Sequence, residues 1–183
     1  MPKRIPIVNV PTLIIPGIGD SGHAHWQTLW ESANPEFIRV EQKDWDKPIC
    51  DEWVNGLEQA VAETGESPVL VAHSLGCLCV AHWAVRTSLI IKGALLVAPP
   101  NPEGIDFPSE AQGFSLVPLV SFGFPSIVVA SSNDPYGSLE FARVCAAAWK
   151  SRFVNIGAAG HINSESGLGK WPEGWALYQE LTA

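Results

Sequence analysis

A serine held between a buried strand and a helix is the first feature of this sequence that could do covalent chemistry. In Val69-Leu-Val-Ala-His-Ser74-Leu-Gly-Cys-Leu, an apolar run turns abruptly at Ser74 into a second apolar stretch of helical length. So tight a turn needs small neighbours, because strand and helix pass close to each other. The general pattern is G-x-S-x-G, and here Ala72 and Gly76 occupy its two small positions. A hydroxyl becomes a strong nucleophile only beside a base that takes its proton, and that base needs a carboxylate to fix its tautomer. Asp134, in Ala130-Ser-Ser-Asn-Asp134-Pro-Tyr, and His161, in Ile156-Gly-Ala-Ala-Gly-His161-Ile-Asn, follow in the order serine, carboxylate, histidine. Each comes straight after a short strand-like run, so all three belong at the carboxyl edge of a parallel sheet, where open α/β sheets bind ligands. The oxyanion formed by attack on a carbonyl needs preorganised N–H donors. Leu75, at the start of the helix after the serine, is one candidate. Ile18, in Pro16-Gly17-Ile18-Gly19-Asp20-Ser21-Gly22, is the other, since the glycines let backbone approach closely.

The remaining reactive side chains read more plainly. His73 precedes the nucleophile, and its side chain should point away from Ser74 as a structural or pocket-lining group. His23 and His25, near Asp20, are two apart at a helix start and face different ways, so no metal site is expected. Cys77 and Cys79 cannot share a helix face either, and with Cys50 and Cys145 they read as reduced, buried thiols. Eight tryptophans could form a sugar-stacking platform, but core packing explains most of them as well. Trp45 and Trp171 are placed on loops where they could line a pocket.

The elements that must position these groups follow from short runs alternating with amphipathic stretches, the pattern of α/β units around a parallel sheet. Six strand candidates are 11–15, 37–41, 68–72, 93–98, 126–130 and 152–156. Helices are expected over 23–31, from Asp51 to near Gly65, over 75–86 and 139–150, and from Trp175 to the C-terminus. Strand order 2-1-3-4-5-6 would put the Ile18 and Leu75 loops on one crevice. The expectation is a three-layer α/β sandwich with helices on both faces, one domain over 1–183. Between Asn101 and Phe124 the chain is too short and too rich in Pro and Gly for a cap domain, although Phe107, Phe114, Leu116 and Phe122 could roof an acyl pocket.

Composition excludes several classes of function. The 183 residues carry 11 basic and 19 acidic side chains, a formal charge of −8. With no basic stripe, nucleic acid is not an expected partner. A hydrophobic content of 46% rules out disorder. Lys3 and Arg4 precede an apolar stretch that Pro6, Asn9, Pro11 and Pro16 interrupt, so no secretory signal is read and the cytoplasm is the expected compartment. The uncharged span 113–133 is broken by Pro118, Gly123 and Pro125, and no membrane association is expected.

Taken together, the chain resembles the small, lidless α/β-hydrolases grouped with retinoblastoma-binding protein 9 and the bacterial YdeN-type serine hydrolases. The resemblance is carried by Pro16-Gly17 with His25-Trp26-Gln27 and Trp30-Glu31, Asp44-Trp45 before Pro48 and Trp53, and Ala72-His73-Ser74-Leu75-Gly76. Phe124-Pro125-Ser126, Asn133-Asp134-Pro135-Tyr136, Gly160-His161-Ile162-Asn163, Gly169, Trp171-Pro172 and Gly174 extend it to the end of the chain. It implies a minimal hydrolase core with the triad on Ser74, Asp134 and His161, and no one agreed substrate. The human member's contact with the retinoblastoma protein relies on an L-x-C-x-E type segment, which this sequence lacks. The expected activity is hydrolysis of small esters, with thioesters or amides as further options and no cofactor. Acyl transfer to another acceptor, and a protein-binding role on a hydrolase fold, stand beside it.

Overall fold

The computed structural model describes residues 10–183; Lys3, Arg4, Pro6 and Asn9, on which the reading of the N-terminus rests, lie outside the described residues. Six parallel strands form the sheet: β1 (Thr12–Ile15), β2 (Phe37–Arg39), β3 (Val69–His73), β4 (Gly93–Val97), β5 (Ser126–Ala130) and β6 (Arg152–Asn155). Their order is β2-β1-β3-β4-β5-β6, so the connection direction reverses between β1 and β3. Five α-helices connect or follow them: α1 (Trp26–Ala33), α2 (Cys50–Glu63), α3 (Leu75–Ala84), α4 (Leu139–Trp149) and α5 (Pro172–Thr182).

Side chains alternate across the strands and feed two cores. Leu13, Ile15, Leu70 and Ala72 face α2, α3 and α4. Ile14, Val69 and Val71 face α1 and α5. This is why β1, β3, β4 and β5 are buried at every position: both faces of a parallel sheet are covered. Helix α3 is buried from Leu75 through Trp83, consistent with its lack of a polar face.

Two helix starts differ from expectation. The first and last helices begin at Trp26 and Pro172, where His23 and Trp175 had been expected. His25 caps α1 by accepting the Gln27 N–H on Nδ1 at 3.1 Å, and proline suits a first helical position because it has no N–H to leave unpaired. The tryptophans pack in the core, as core packing had accounted for most of them. Trp26, Trp30, Trp171 and Trp175 pack edge and face against one another and against Tyr178. Two of their indole N–H groups find backbone acceptors, Trp26 on the Ile162 carbonyl at 2.8 Å and Trp30 on the Lys170 carbonyl at 2.7 Å.

Candidate active site

The turn after β3 shows why Gly76 and Gly17 are small. Ser74 has φ 54° and ψ −125°, a strained conformation for a residue with a side chain, of the kind that surrounding structure must hold in place. A Cβ on Gly76 would lie 2.4 Å from the Ile15 carbonyl oxygen and 2.8 Å from that of Pro16. A Cβ on Gly17 would lie 2.8 Å from the Ser74 Cβ. The first loop therefore presses its backbone directly against the serine turn. Gln27, fully buried, ties the same edge together: its amide donates to the Ile15 carbonyl at 3.3 Å and the Val71 carbonyl at 3.0 Å, while its oxygen accepts from the Ser21 hydroxyl at 2.6 Å.

Across this edge the structure brings Ser74, His161 and Asp134 into one hydrogen-bonded line. Ser74 Oγ lies 2.8 Å from His161 Nε2. His161 Nδ1 lies 2.9 Å from both Asp134 carboxyl oxygens. Because a carboxylate only accepts, Nδ1 carries the proton and Nε2 presents its lone pair to the serine hydroxyl. The Asp134 side chain is 2% exposed and that of His161 10%, so the ion-pairing partner of the imidazole is shielded from water. The Tyr136 N–H also donates to Asp134 at 2.9 Å, and the Tyr136 ring stands edge-on to His161 at 4.6 Å.

The loop that carries His161 is held at several points. Asn133 Oδ1 accepts the Gly160 N–H at 2.7 Å, and Ser131 Oγ accepts the Ala159 N–H at 2.9 Å. His73 Nε2 lies 2.9 Å from the His161 carbonyl oxygen, which fixes that nitrogen as the donor. With Trp26 on the Ile162 carbonyl, two ring N–H groups grip consecutive peptides of this loop. Ile162 itself sits at φ 50°, so the peptide is held in a conformation it would otherwise leave. The sequence placed His73 beside the nucleophile without showing this contact, because its partner is a main-chain atom distant in the chain. Burial pushes the His73 imidazole well below its ordinary range, helped by His25 and His161 nearby.

The site opens into a cavity of about 400 Å³, lined by the glycine loop with Ile18, by Ser74 and Leu75, and by Pro100, Phe107, Pro108 and Tyr136. Neither the Ile18 nor the Leu75 N–H donates to a protein acceptor among the described residues. Of the four candidates for a roof, only Phe107 lines this cavity. Phe114 is completely buried, Phe122 packs flat on Trp149 at 5.1 Å, and Leu116 points to solvent at 85% exposure. Trp171 belongs to the core beneath α1, and Trp45 packs on Trp53. Among the described residues no cluster of His, Cys, Asp and Glu is placed to hold a metal, and no helix is long and apolar enough to cross a membrane. All four cysteines are free and buried; burial raises the Cys50 thiol to about 11, which makes it a poor nucleophile.

The profile of the serine hydrolase family matches residues 12–180. The chain belongs to the serine hydrolase family. Among solved structures it is similar to a protein described as a YdeN-like hydrolase from Pectobacterium atrosepticum, at 32% identity, 94% of this chain, 90% of that one and a TM-score of 0.83. The ydeN product of Bacillus subtilis shares the fold at 19% identity, covering 93% and 97% of the two chains with a TM-score of 0.76. So does an esterase from Thermogutta terrifontis, at 16% identity, 94% and 89% coverage and a TM-score of 0.69. No curated protein matches the chain. A small α/β-hydrolase of YdeN type is therefore the fold and family of this serine hydrolase, and its core has helices on both faces of a six-stranded parallel sheet.

Proposed function

We propose that this serine hydrolase is a carboxylesterase-like enzyme that cleaves small, uncharged esters through an acyl-enzyme on Ser74. The observation that carries the reading is the unbroken line from Ser74 Oγ through His161 to Asp134, at 2.8 and 2.9 Å, opening on a cavity beside two undonated backbone N–H groups. In this reading His161 takes the Ser74 proton as the hydroxyl oxygen attacks the substrate carbonyl carbon. The oxyanion is received by the N–H groups of Leu75 and Ile18. His161 then returns the proton to the departing alkoxide, and a water repeats the sequence in reverse to release the acid. Asp134 keeps the proton on Nδ1 and stabilises the imidazolium between steps. Leu75 stands at the N-terminus of α3, whose dipole favours the developing negative charge.

The lining supports an uncharged substrate. It carries Asp20 and Glu165 and neither lysine nor arginine, which disfavours a polyanionic leaving group such as a coenzyme thioester. The pocket volume suits an acyl chain of a few carbons with a small alcohol.

Intact-mass spectrometry after incubation with a fluorophosphonate tests the reading. One adduct is expected on the native chain and none on Ser74→Ala, with turnover of short 4-nitrophenyl esters falling by several orders of magnitude in that variant. No adduct on either chain would overturn it.

A further inference from the structure

Arg39, at the end of β2, is a largely covered charge that the ester-cleaving reading leaves without a task. Its side chain is 12% exposed, and a guanidinium so removed from water is tolerated only where its donors are matched. Each of its five N–H groups has an acceptor. Nη1 donates to Asp20 Oδ1 at 2.7 Å and to the Ser21 carbonyl at 3.1 Å. Nη2 donates to Thr28 Oγ1 at 2.7 Å and to Glu31 Oε2 at 2.6 Å, and Nε donates to the same Glu31 oxygen at 2.9 Å. One side of the fork therefore grips the glycine loop after β1. The other grips α1, which Trp26 and Trp30 seat in the core, and Thr28 closes the ring by donating to the Ser21 carbonyl at 2.7 Å.

The grip falls on the turn that carries Ile18. Residues 17–20 form a turn closed by the Asp20 N–H on the Gly17 carbonyl at 3.2 Å. Ile18 is its second residue, and Gly19 at the third has φ 75°, as a type II turn requires. Asp20 continues the left-handed run at φ 63°, where a residue with a side chain stays only if its surroundings hold it. The hold is on its carboxylate: Oδ1 accepts from Arg39 and, at 2.7 Å, from the Ser21 N–H. The Gly19 N–H is fixed on the Trp45 carbonyl at 2.8 Å. Of the N–H groups at 18, 19 and 20, that of Ile18 is the one without a protein acceptor among the described residues, and Ile18 lines the cavity over Ser74.

We propose that Arg39 is a positioning residue: through Asp20 it holds the Gly17–Asp20 turn where the Ile18 N–H can receive the oxyanion. The inference rests on the ester-cleaving reading, in which Ile18 is one of two donors. The other, Leu75, is carried by a buried helix and needs no such clamp. A donor is worth most when it does not have to move as charge develops, so what Arg39 contributes is the rigidity of the turn. Arg39 itself does not line the cavity.

Three single variants and one double variant test the assignment. Arg39→Met keeps the stem and none of the donors. Asp20→Gly removes the anchor at a φ of 63° that glycine adopts without strain, so its thermal unfolding midpoint should stay close to native. Asp20→Asn tolerates the same φ and keeps an acceptor oxygen. Losing an oxyanion donor outright costs about 10²–10³ in kcat. With the turn loosened, kcat for a short 4-nitrophenyl ester is expected to fall about tenfold or more in Arg39→Met and Asp20→Gly, with KM nearly unchanged. Asp20→Asn should recover most of the rate. The double variant Arg39→Met/Asp20→Gly should fall no further than the worse single, since both break one pair.

An alkyl trifluoromethyl ketone supplies the matching equilibrium readout. Ser74 Oγ bonds to its carbonyl carbon, the hydroxyl proton passes to His161, and the ketone oxygen becomes the oxyanion. Its inhibition constant should rise by the factor that kcat loses, whereas that of the corresponding methyl ketone, which resists addition, should not change. The Ile18 amide resonance of 15N-labelled protein needs no turnover: it should shift or broaden in Asp20→Gly and return in Asp20→Asn. A native kcat in the variants, a loss carried by KM, an unmoved trifluoromethyl ketone constant, a double variant that loses the product of the singles, or an unmoved Ile18 resonance would each overturn the proposal. Should Arg39→Met not fold, Asp20→Gly decides. Failure of the native chain to label with a fluorophosphonate would count against the ester-cleaving reading alone, and the Ile18 resonance would still test the hold on the turn.

Discussion

At the scale of single residues, the hydrogen-bonded line of Ser74, His161 and Asp134 was legible because the chemistry it suits restricts both residue type and order. A serine flanked by small residues, then a carboxylate and a histidine each after a strand, left few other ways to read Ser74, Asp134 and His161. What the sequence hid were contacts to main-chain atoms. His73 is such a case: its hydrogen bond goes to the His161 carbonyl at 2.9 Å, and nothing in a side-chain pattern announces a carbonyl. The bond is a positioning contact, since it holds the peptide whose imidazole must stay aligned with Ser74. Replacing His73 with leucine leaves that carbonyl without its donor, a loss of about 1–3 kcal/mol for a buried acceptor. The expected result is a fall in kcat of about tenfold or more with KM nearly unchanged, because the pocket surface is altered less than the alignment. His73→Gln, which keeps a donor, should recover part of the rate. A loss confined to KM, or equal losses in both variants, would show that the bond does not position His161.

Among the elements, the central strands and α2 to α4 were visible as apolar runs and helical spacing, and the expected strand order, the one that sets the two donor loops on a single crevice, is the order observed. The region 101–124 was misread in its details. A run of aromatic residues in a segment with no periodic pattern gives no direction for any one ring, and here tertiary packing decides: Phe114 and Phe122 turn into the core formed with Trp53 and Trp149, and Phe107 alone reaches the cavity. Trp45 and Trp171 misled for the same reason, being large, amphipathic and equally at home in a core or at a pocket mouth. The join between β3 and α3 carries the sharpest element-scale prediction. Gly76 has room for no Cβ, because the atoms it would meet at 2.4 and 2.8 Å are backbone oxygens of the first loop and cannot swing aside. Gly76→Ala should therefore push α3 away from Ile15 and Pro16, lowering the stability measured by urea unfolding by several kcal/mol, more than a typical point substitution. It should also reduce fluorophosphonate labelling, since the Leu75 N–H moves with the helix. A variant with native stability and labelling would mean that strand and helix do not approach as closely as the structure shows.

For the molecule as a whole, the same buried histidines that shape the site should set its tolerance of acid. His25, His73 and His82 are all held below the ordinary imidazole range, in each case chiefly by burial. An unfolded chain recovers ordinary histidines, so it binds protons that the folded chain refuses, and stability must rise with pH across the interval between the two sets of pKa values. For His25 that interval runs from about 4 to 6.5, and the stability lost on crossing it downward is roughly 3 kcal/mol. The thermal unfolding midpoint should therefore be flat between about pH 7 and 8 and fall steadily from pH 6.5 to 4. In His25→Asn the fall should be shallower while the midpoint at pH 7.5 stays close to native, since asparagine keeps the cap on α1. Parallel slopes for the two chains would show that His25 is not held neutral by the fold. A neutral ring whose Nε2 has no hydrogen-bond partner and a steep acid slope are two consequences of burying one histidine, so calorimetry across pH checks the burial of His25 with no substrate present.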